Sequence, residues 1–118
     1  MDESRWTGSM LLDLYGELLT DKQRECFDLH YNEDLSLSEI AEQLGISRQG
    51  VWDNIRRAES AMQDMESKTG LLHRIEADRR ALESLREGLA RLAAMSGGEA
   101  RSLALQLEGE VAELIARG

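Results

Sequence analysis

Three arginines, a glutamine and an aspartate crowd one short stretch, SRQGVWDNIRRAES, from Ser47 to Ser60. Guanidinium groups pair with guanine or phosphate, and a glutamine amide pairs with adenine. Arg48, Gln49, Arg56 and Arg57 are therefore candidates for contact with nucleic acid. Asp53 stands among them and would be repelled by nearby phosphates. Three arginines against Asp53 and Glu59 leave the stretch a net charge of only +1, while the chain as a whole carries -9. Affinity for DNA rests largely on phosphate neutralisation and counterion release. One excess charge on an acidic body thus predicts weak, very salt-sensitive binding unless dimerisation doubles it. The competing reading makes Arg56 and Arg57 part of an exposed helix surface with ion pairs one turn apart.

Other chemistry is poorly supplied. His30 falls on the apolar side of its helix and His73 is isolated, with no cysteine or carboxylate cluster at ligand spacing near either, so no metal and no cofactor is expected. Cys26 is the only cysteine, which rules out an intrachain disulfide and fits a small core hydrophobe. The glycines of SGGE lack the lysine and the flanking strand that a phosphate loop requires. The carboxylates are scattered over solvent faces. No catalytic residue emerges, and a non-enzymatic protein is expected.

The elements that must position the arginines are all helices. Proline is absent from the 118 residues and β-branched residues are scarce, whereas Leu, Ala, Glu, Arg and Gln abound. A first helix is predicted from about Thr7 to Leu18, with Leu11, Leu14, Tyr15 and Leu18 inward. Thr20 and Gln23 form a capping box opening a second helix, whose apolar side is Cys26, Phe27, His30 and Tyr31. Ser36 and Glu39 form another, opening a short third helix with Leu37, Ile40, Ala41 and Leu44 inward. Gly45 supplies a left-handed C-cap and Ser47 at once caps a fourth helix. That short turn defines a helix-turn-helix. Val51, Ile55, Ala58 and Met62 fix the buried face of the fourth helix, sending Gln49, Asp53 and Arg56 outward with Trp52 and Arg57 on the flanks. Trp6 and Trp52 read as packing or interface residues.

The apolar spacing outlasts the motif. After Met62 and Met65, and a cap or kink at Gly70, Leu71, Leu72, Ile75, Leu82, Leu85, Leu89 and Leu92 continue with heptad-like spacing until SGGE. A last helix, about Glu99 to Arg117, presents Leu103, Leu107, Val111 and Leu114. Such a seam exceeds what the small N-terminal bundle can cover. Met62, Met65, Leu72, Ile75, Leu82, Leu85, Leu89 and Leu92 are accordingly candidates for a dimer or partner seam, most simply with a second copy. The expected organisation is a helix-turn-helix domain over 1–69, its motif at 36–58, followed by a helical extension over 70–118. Residues 1 to 70 hold 15 acids and 7 bases, while residues 71 to 118 hold 8 acids and 7 bases, so the acidity lies in the first part. No apolar run approaches the roughly 18 residues of a membrane span, and MDESRW lacks the layout of a secretory signal; the cytoplasm is the expected location.

The string LLDLYGELLTDKQRECFDLHYNEDLSLSEIAEQLGISRQGVWDNIRRAE resembles the YlxM family of small bacterial helix-turn-helix proteins, from about Met10 through LLHRIEADRRALESL. The specific pieces are LTDKQR, YNEDLSLSEIA and above all SRQGVWDNIRR, where the family typically reads close to SRQAVYDNIRR. Gly50 and Trp52 depart from that pattern. Gly50 lowers helix stability by roughly 1 kcal/mol relative to alanine, less near the N-terminus. The resemblance implies an all-α fold similar to region four of bacterial sigma factors, extended by long C-terminal helices. It also implies an accessory or regulatory role in the signal recognition particle pathway, with the particle's GTPase or its RNA as partner. The alternative is a sequence-specific DNA-binding transcription regulator, and a third is a dimerising adaptor whose motif is vestigial.

Overall fold

The computed structural model describes the backbone of residues 3–118 and the side chains from Thr7 onward. Six α-helices account for nearly all of it: α1 (Glu3–Tyr15), α2 (Asp21–Tyr31), α3 (Leu37–Leu44), α4 (Arg48–Thr69), α5 (Leu71–Met95) and α6 (Gly98–Arg117), with a 3-10 turn at Gly16–Leu18. There is no strand among the described residues. The chain divides into two compact units, Met1–Leu72 and His73–Gly118.

In the first unit, α4 is the central element and packs against α1, α2 and α3. Its core gathers Leu11, Tyr15, Leu19, Cys26, Phe27, Ile40, Ala41, Val51, Ile55, Ala58, Met62 and Leu72. Removing such apolar surface from water stabilises the fold by about 1.5–3 kcal/mol for each fully buried large side chain. Leu18, expected inward, is 63% exposed and Leu19 takes its place at 6%. Leu19 is where the 3-10 turn ends, its backbone extended at φ -88° and ψ 156°, so its side chain departs from the helical spacing that puts Leu18 inward. Trp6 lies outside the side chains described.

Two tyrosine hydroxyls tie α4 to its neighbours. The Tyr31 hydroxyl on α2 donates to Glu59 Oε1 at 2.7 Å, and the Tyr15 hydroxyl on α1 donates to Glu66 Oε1 at 2.8 Å while also contacting Thr69 Oγ1 at 2.5 Å. Burial, together with the Glu66 carboxylate, pushes the Tyr15 phenol above its ordinary value, against the opposing effect of Thr69. Glu66 and Thr69 also form the corner into α5. Gly70 takes the left-handed φ of 61° that ends α4. Leu71 N then donates to Thr69 Oγ1 at 3.2 Å and Leu72 N to Glu66 Oε1 at 2.9 Å, satisfying donors that a helix start leaves open. Where α1 crosses α2 the glycine is Gly8: a Cβ there would stand 3.1 Å from Tyr31 Cδ1 and 3.3 Å from Phe27 Cζ.

The second unit is sparsely buried. α6 meets α5 at an Arg86–Glu108 ion pair of 3.5 Å, and Ala93 and Ala104 are the buried apolar residues there. Leu85, Leu92, Leu103, Leu107 and Leu114 are exposed, and Ile75, Leu82 and Leu89 half-buried. The continuous seam read from the sequence therefore divides. Met62 and Leu72 are buried in the interior of the first unit and have little surface to offer a partner; Met65 packs against that core but is only half-buried.

Candidate nucleic-acid interface

The turn between α3 and α4 is built by local hydrogen bonds. Ser36 accepts from Glu39 N at 3.1 Å while Glu39 Oε1 accepts from Ser36 N at 3.0 Å. The backbone N–H of Ser36 holds the Glu39 carboxyl below its ordinary value, helped by the serine hydroxyl. Gly45 ends α3 with φ 68°, its N–H bonded to the Ala41 carbonyl, and Ile46 N donates to the same carbonyl at 3.1 Å. A left-handed residue there suits glycine because a Cβ would crowd the following carbonyl. One residue later Ser47 accepts from Gly50 N at 2.9 Å. These bonds join the end of α3 to the start of α4 through a turn of Gly45 and Ile46.

α4 then presents the residues singled out by the sequence. Val51, Ile55, Ala58 and Met62 are buried, which leaves Arg48, Gln49, Trp52, Asp53, Arg56 and Arg57 exposed. Gln49 Nε2 donates to Asp53 Oδ1 at 3.0 Å. That bond uses a donor of the amide that would otherwise face adenine, and it places the carboxylate in the middle of the outward face. The ion pairs of the competing reading are not found for Arg56 or Arg57: among the described residues, no carboxylate lies at salt-bridge distance from Arg48, Arg56 or Arg57. Arg56 instead lays its guanidinium over the Trp52 ring, 5.6 Å from the centroid.

Trp52, read from the sequence as a packing or interface residue on the flank of α4, lies at the surface. Its ring is 41% exposed, and with Ser36, Leu37, Ser38, Arg48 and Gln49 it lines an open depression of about 850 Å³ between the starts of α3 and α4. A helical wheel of α4 alone places Trp52 on a flank; the depression exists only because Ser36–Ser38 stand opposite.

His30 and Cys26 are structural. His30 Nδ1 lies 3.0 Å from the Leu35 carbonyl; a carbonyl only accepts, so Nδ1 carries the proton and donates. The ring meets Tyr31 edge-on at 5.1 Å. Cys26 is buried, and that burial pushes its thiol above the ordinary value. Among the described residues no group of three or more His, Cys, Asp or Glu is placed to hold a metal, and no helix is long and apolar enough to cross a membrane.

An all-α bundle with a capped α3, a left-handed glycine and a capped α4 is a helix-turn-helix protein. The chain belongs to the family UPF0122, described as "Putative helix-turn-helix protein, YlxM / p13 like", whose model matches residues 2–96 and so covers α1 to α5. It is similar to a UPF0122 protein of Acetivibrio thermocellus, 51% identical over 83 residues that span 70% of this chain and 71% of that one. A relative from a Thermoanaerobacter species is 46% identical over 89 residues, 75% of this chain and 76% of its own. Another, from Geobacillus kaustophilus, is 48% identical over 81 residues, 69% and 74% of the two chains.

Proposed function

We propose that this protein is a non-enzymatic, cytoplasmic accessory or regulatory component of the signal recognition particle pathway that binds nucleic acid through its helix-turn-helix, with the particle's RNA or GTPase as partner. The observation that carries the nucleic-acid part is the exposed start of α4, where Arg48, Arg56 and Arg57 have no carboxylate partner among the described residues. The link to protein targeting rests on the resemblance to the YlxM family. In this reading residues 1–69 form the binding domain and residues 70–118 an extension that pairs two copies, which would double a local charge of +1.

The test is a binding titration of the particle's RNA and GTPase, with GTP hydrolysis measured in parallel. Three phosphate contacts per copy give a log–log salt slope of about -2.7 on duplex DNA, or about a 40-fold loss of affinity between roughly 50 and 200 mM salt; on single strands the slope is about -2.1. Failure to bind either partner at low salt, with hydrolysis unchanged, sinks the proposal. A second reading, a sequence-specific DNA-binding regulator, is favoured by the intact turn and the exposed Arg56. It requires one duplex sequence to bind far better than others and Arg56→Ala to abolish that preference.

A further inference from the structure

We propose that the depression beside Trp52 takes one unpaired nucleobase, stacked on the indole with its phosphate on Arg48, so that the ligand of this helix-turn-helix is a single-stranded or looped nucleic acid rather than a duplex. The inference rests on the nucleic-acid-binding reading above and narrows it.

The first ground is the fit. The depression of about 850 Å³ falls within the roughly 300–1,000 Å³ common for small-molecule sites, and its lining matches the parts of a nucleotide. Trp52 and Leu37 are apolar surface for a base, Ser36 and Ser38 carry hydroxyls for its edge, and Arg48 carries a charge for its phosphate. Arg56, lying over the indole at 5.6 Å, holds the ring and adds a second cation beside it.

The second ground is what the outward face of α4 does not offer a duplex. Bidentate reading of adenine turns an amide out toward the base edge, whereas Gln49 is turned along α4 with one of its two N–H groups on Asp53 at 3.0 Å. A duplex also brings two phosphate strands past the Asp53 carboxylate. A single strand carries half the charge per length and can lay its backbone on the Arg48 side alone. Stacking on an aromatic ring is sequence-tolerant and does not depend on counterion release. It supplies affinity that a recognition helix of net +1 on an acidic chain otherwise lacks.

With Trp6→Phe as background, Trp52 is the sole tryptophan and its fluorescence reports the site. Short oligonucleotides of one sequence are titrated as single-stranded RNA, single-stranded DNA and duplex DNA. Saturable quenching by a single strand, weaker for duplex, is expected, and the RNA and DNA arms show whether the 2′-hydroxyl is read. Trp52→Ala weakens single-strand binding about tenfold or more, and Trp52→Phe retains most of it. Arg48→Ala flattens the salt slope by about one. Anisotropy of a labelled oligonucleotide on the chain with Trp6 intact repeats the comparison if the background variant fails to fold. Duplex binding that neither quenches Trp52 nor responds to Trp52→Ala overturns the inference and leaves the nucleic-acid reading standing. No binding of any nucleic acid at low salt removes both.

Discussion

Met62 and Leu85 share one heptad-like pattern in the sequence, and the structure predicts opposite responses when each is cut to alanine. Met62 is 1% exposed and Leu85 is 57% exposed. Truncating Met62 removes a side chain from the closed interior it shares with Leu72 and Val51. Such losses reach about 2–5 kcal/mol, the transfer energy of the lost atoms plus that of the cavity left behind. With about 3 kcal/mol and about 4–8 °C per kcal/mol for a domain of this size, the midpoint of the first unit falls by about 12–24 °C. Leu85→Ala removes surface that water already reaches, so at low protein concentration stability moves by no more than about 0.5 kcal/mol. Thermal unfolding by circular dichroism over a concentration series reads both effects. If residues 70–118 pair two copies, Leu85→Asp makes the midpoint independent of concentration and lowers the mass in sedimentation, while Met62→Ala leaves the concentration dependence in place. Equal, concentration-independent losses for Met62→Ala and Leu85→Ala would refute the division of the seam.

Four further outcomes follow from the site and its supports. Asp53→Asn removes the carboxylate at the centre of the outward face and strengthens nucleic-acid binding several-fold at low salt, a gain that shrinks as salt is added; anisotropy at two salt concentrations checks it. Ser47→Ala, which deletes the acceptor of Gly50 N, lowers stability by about 1 kcal/mol in urea unfolding, and Ser36→Ala does the same at α3. The depressed Glu39 carboxyl contributes stability that is present above its unfolded value and is lost as pH falls through the folded one. An acid titration of Glu39→Gln should therefore lose part of that limb. For Cys26 the sign is opposite: the raised thiol contributes stability below its unfolded value that is lost as pH rises through the folded one, and a thiol reagent should label it only on unfolding.

The parts of this fold that were legible in the sequence are those fixed within a turn of chain. Thr20 with Gln23, Ser36 with Glu39, Gly45 and Ser47 each act on backbone groups three or four residues away, and each forms as its spacing implies. What escaped depends on contacts between distant segments. The burial of Leu19 in place of Leu18 comes where the chain leaves its helical spacing between α1 and α2. The bonds from Tyr15 to Glu66 and from Tyr31 to Glu59 span 51 and 28 residues, and no local pattern announces them. The close approach at Gly8 is of the same kind. For the site, periodicity correctly put Gln49, Asp53 and Arg56 on the outward face, but could not say that Gln49 turns to Asp53 or that α3 supplies the far wall beside Trp52.

That far wall bears on the tension between a DNA-reading shape and a charge of -9. Were affinity only ionic, three arginines offset by Asp53 and Glu59 would leave little attraction, and the acidic first unit would oppose it at distance. Part of that acidity has a structural use: Glu59 and Glu66, two turns apart on α4, accept the hydroxyls of Tyr31 and Tyr15 and hold α2 and α1 in place. Neutralising those carboxylates to favour nucleic acid would weaken the bundle that positions the arginines. A chain so constrained gains affinity most readily from contacts that carry no charge, and an aromatic ring at the edge of the recognition helix is such a contact. If Trp52 takes an unpaired base as proposed, selectivity favours ligands that can unstack one, and the acidic surface would disfavour the long duplexes that a more basic helix-turn-helix would hold.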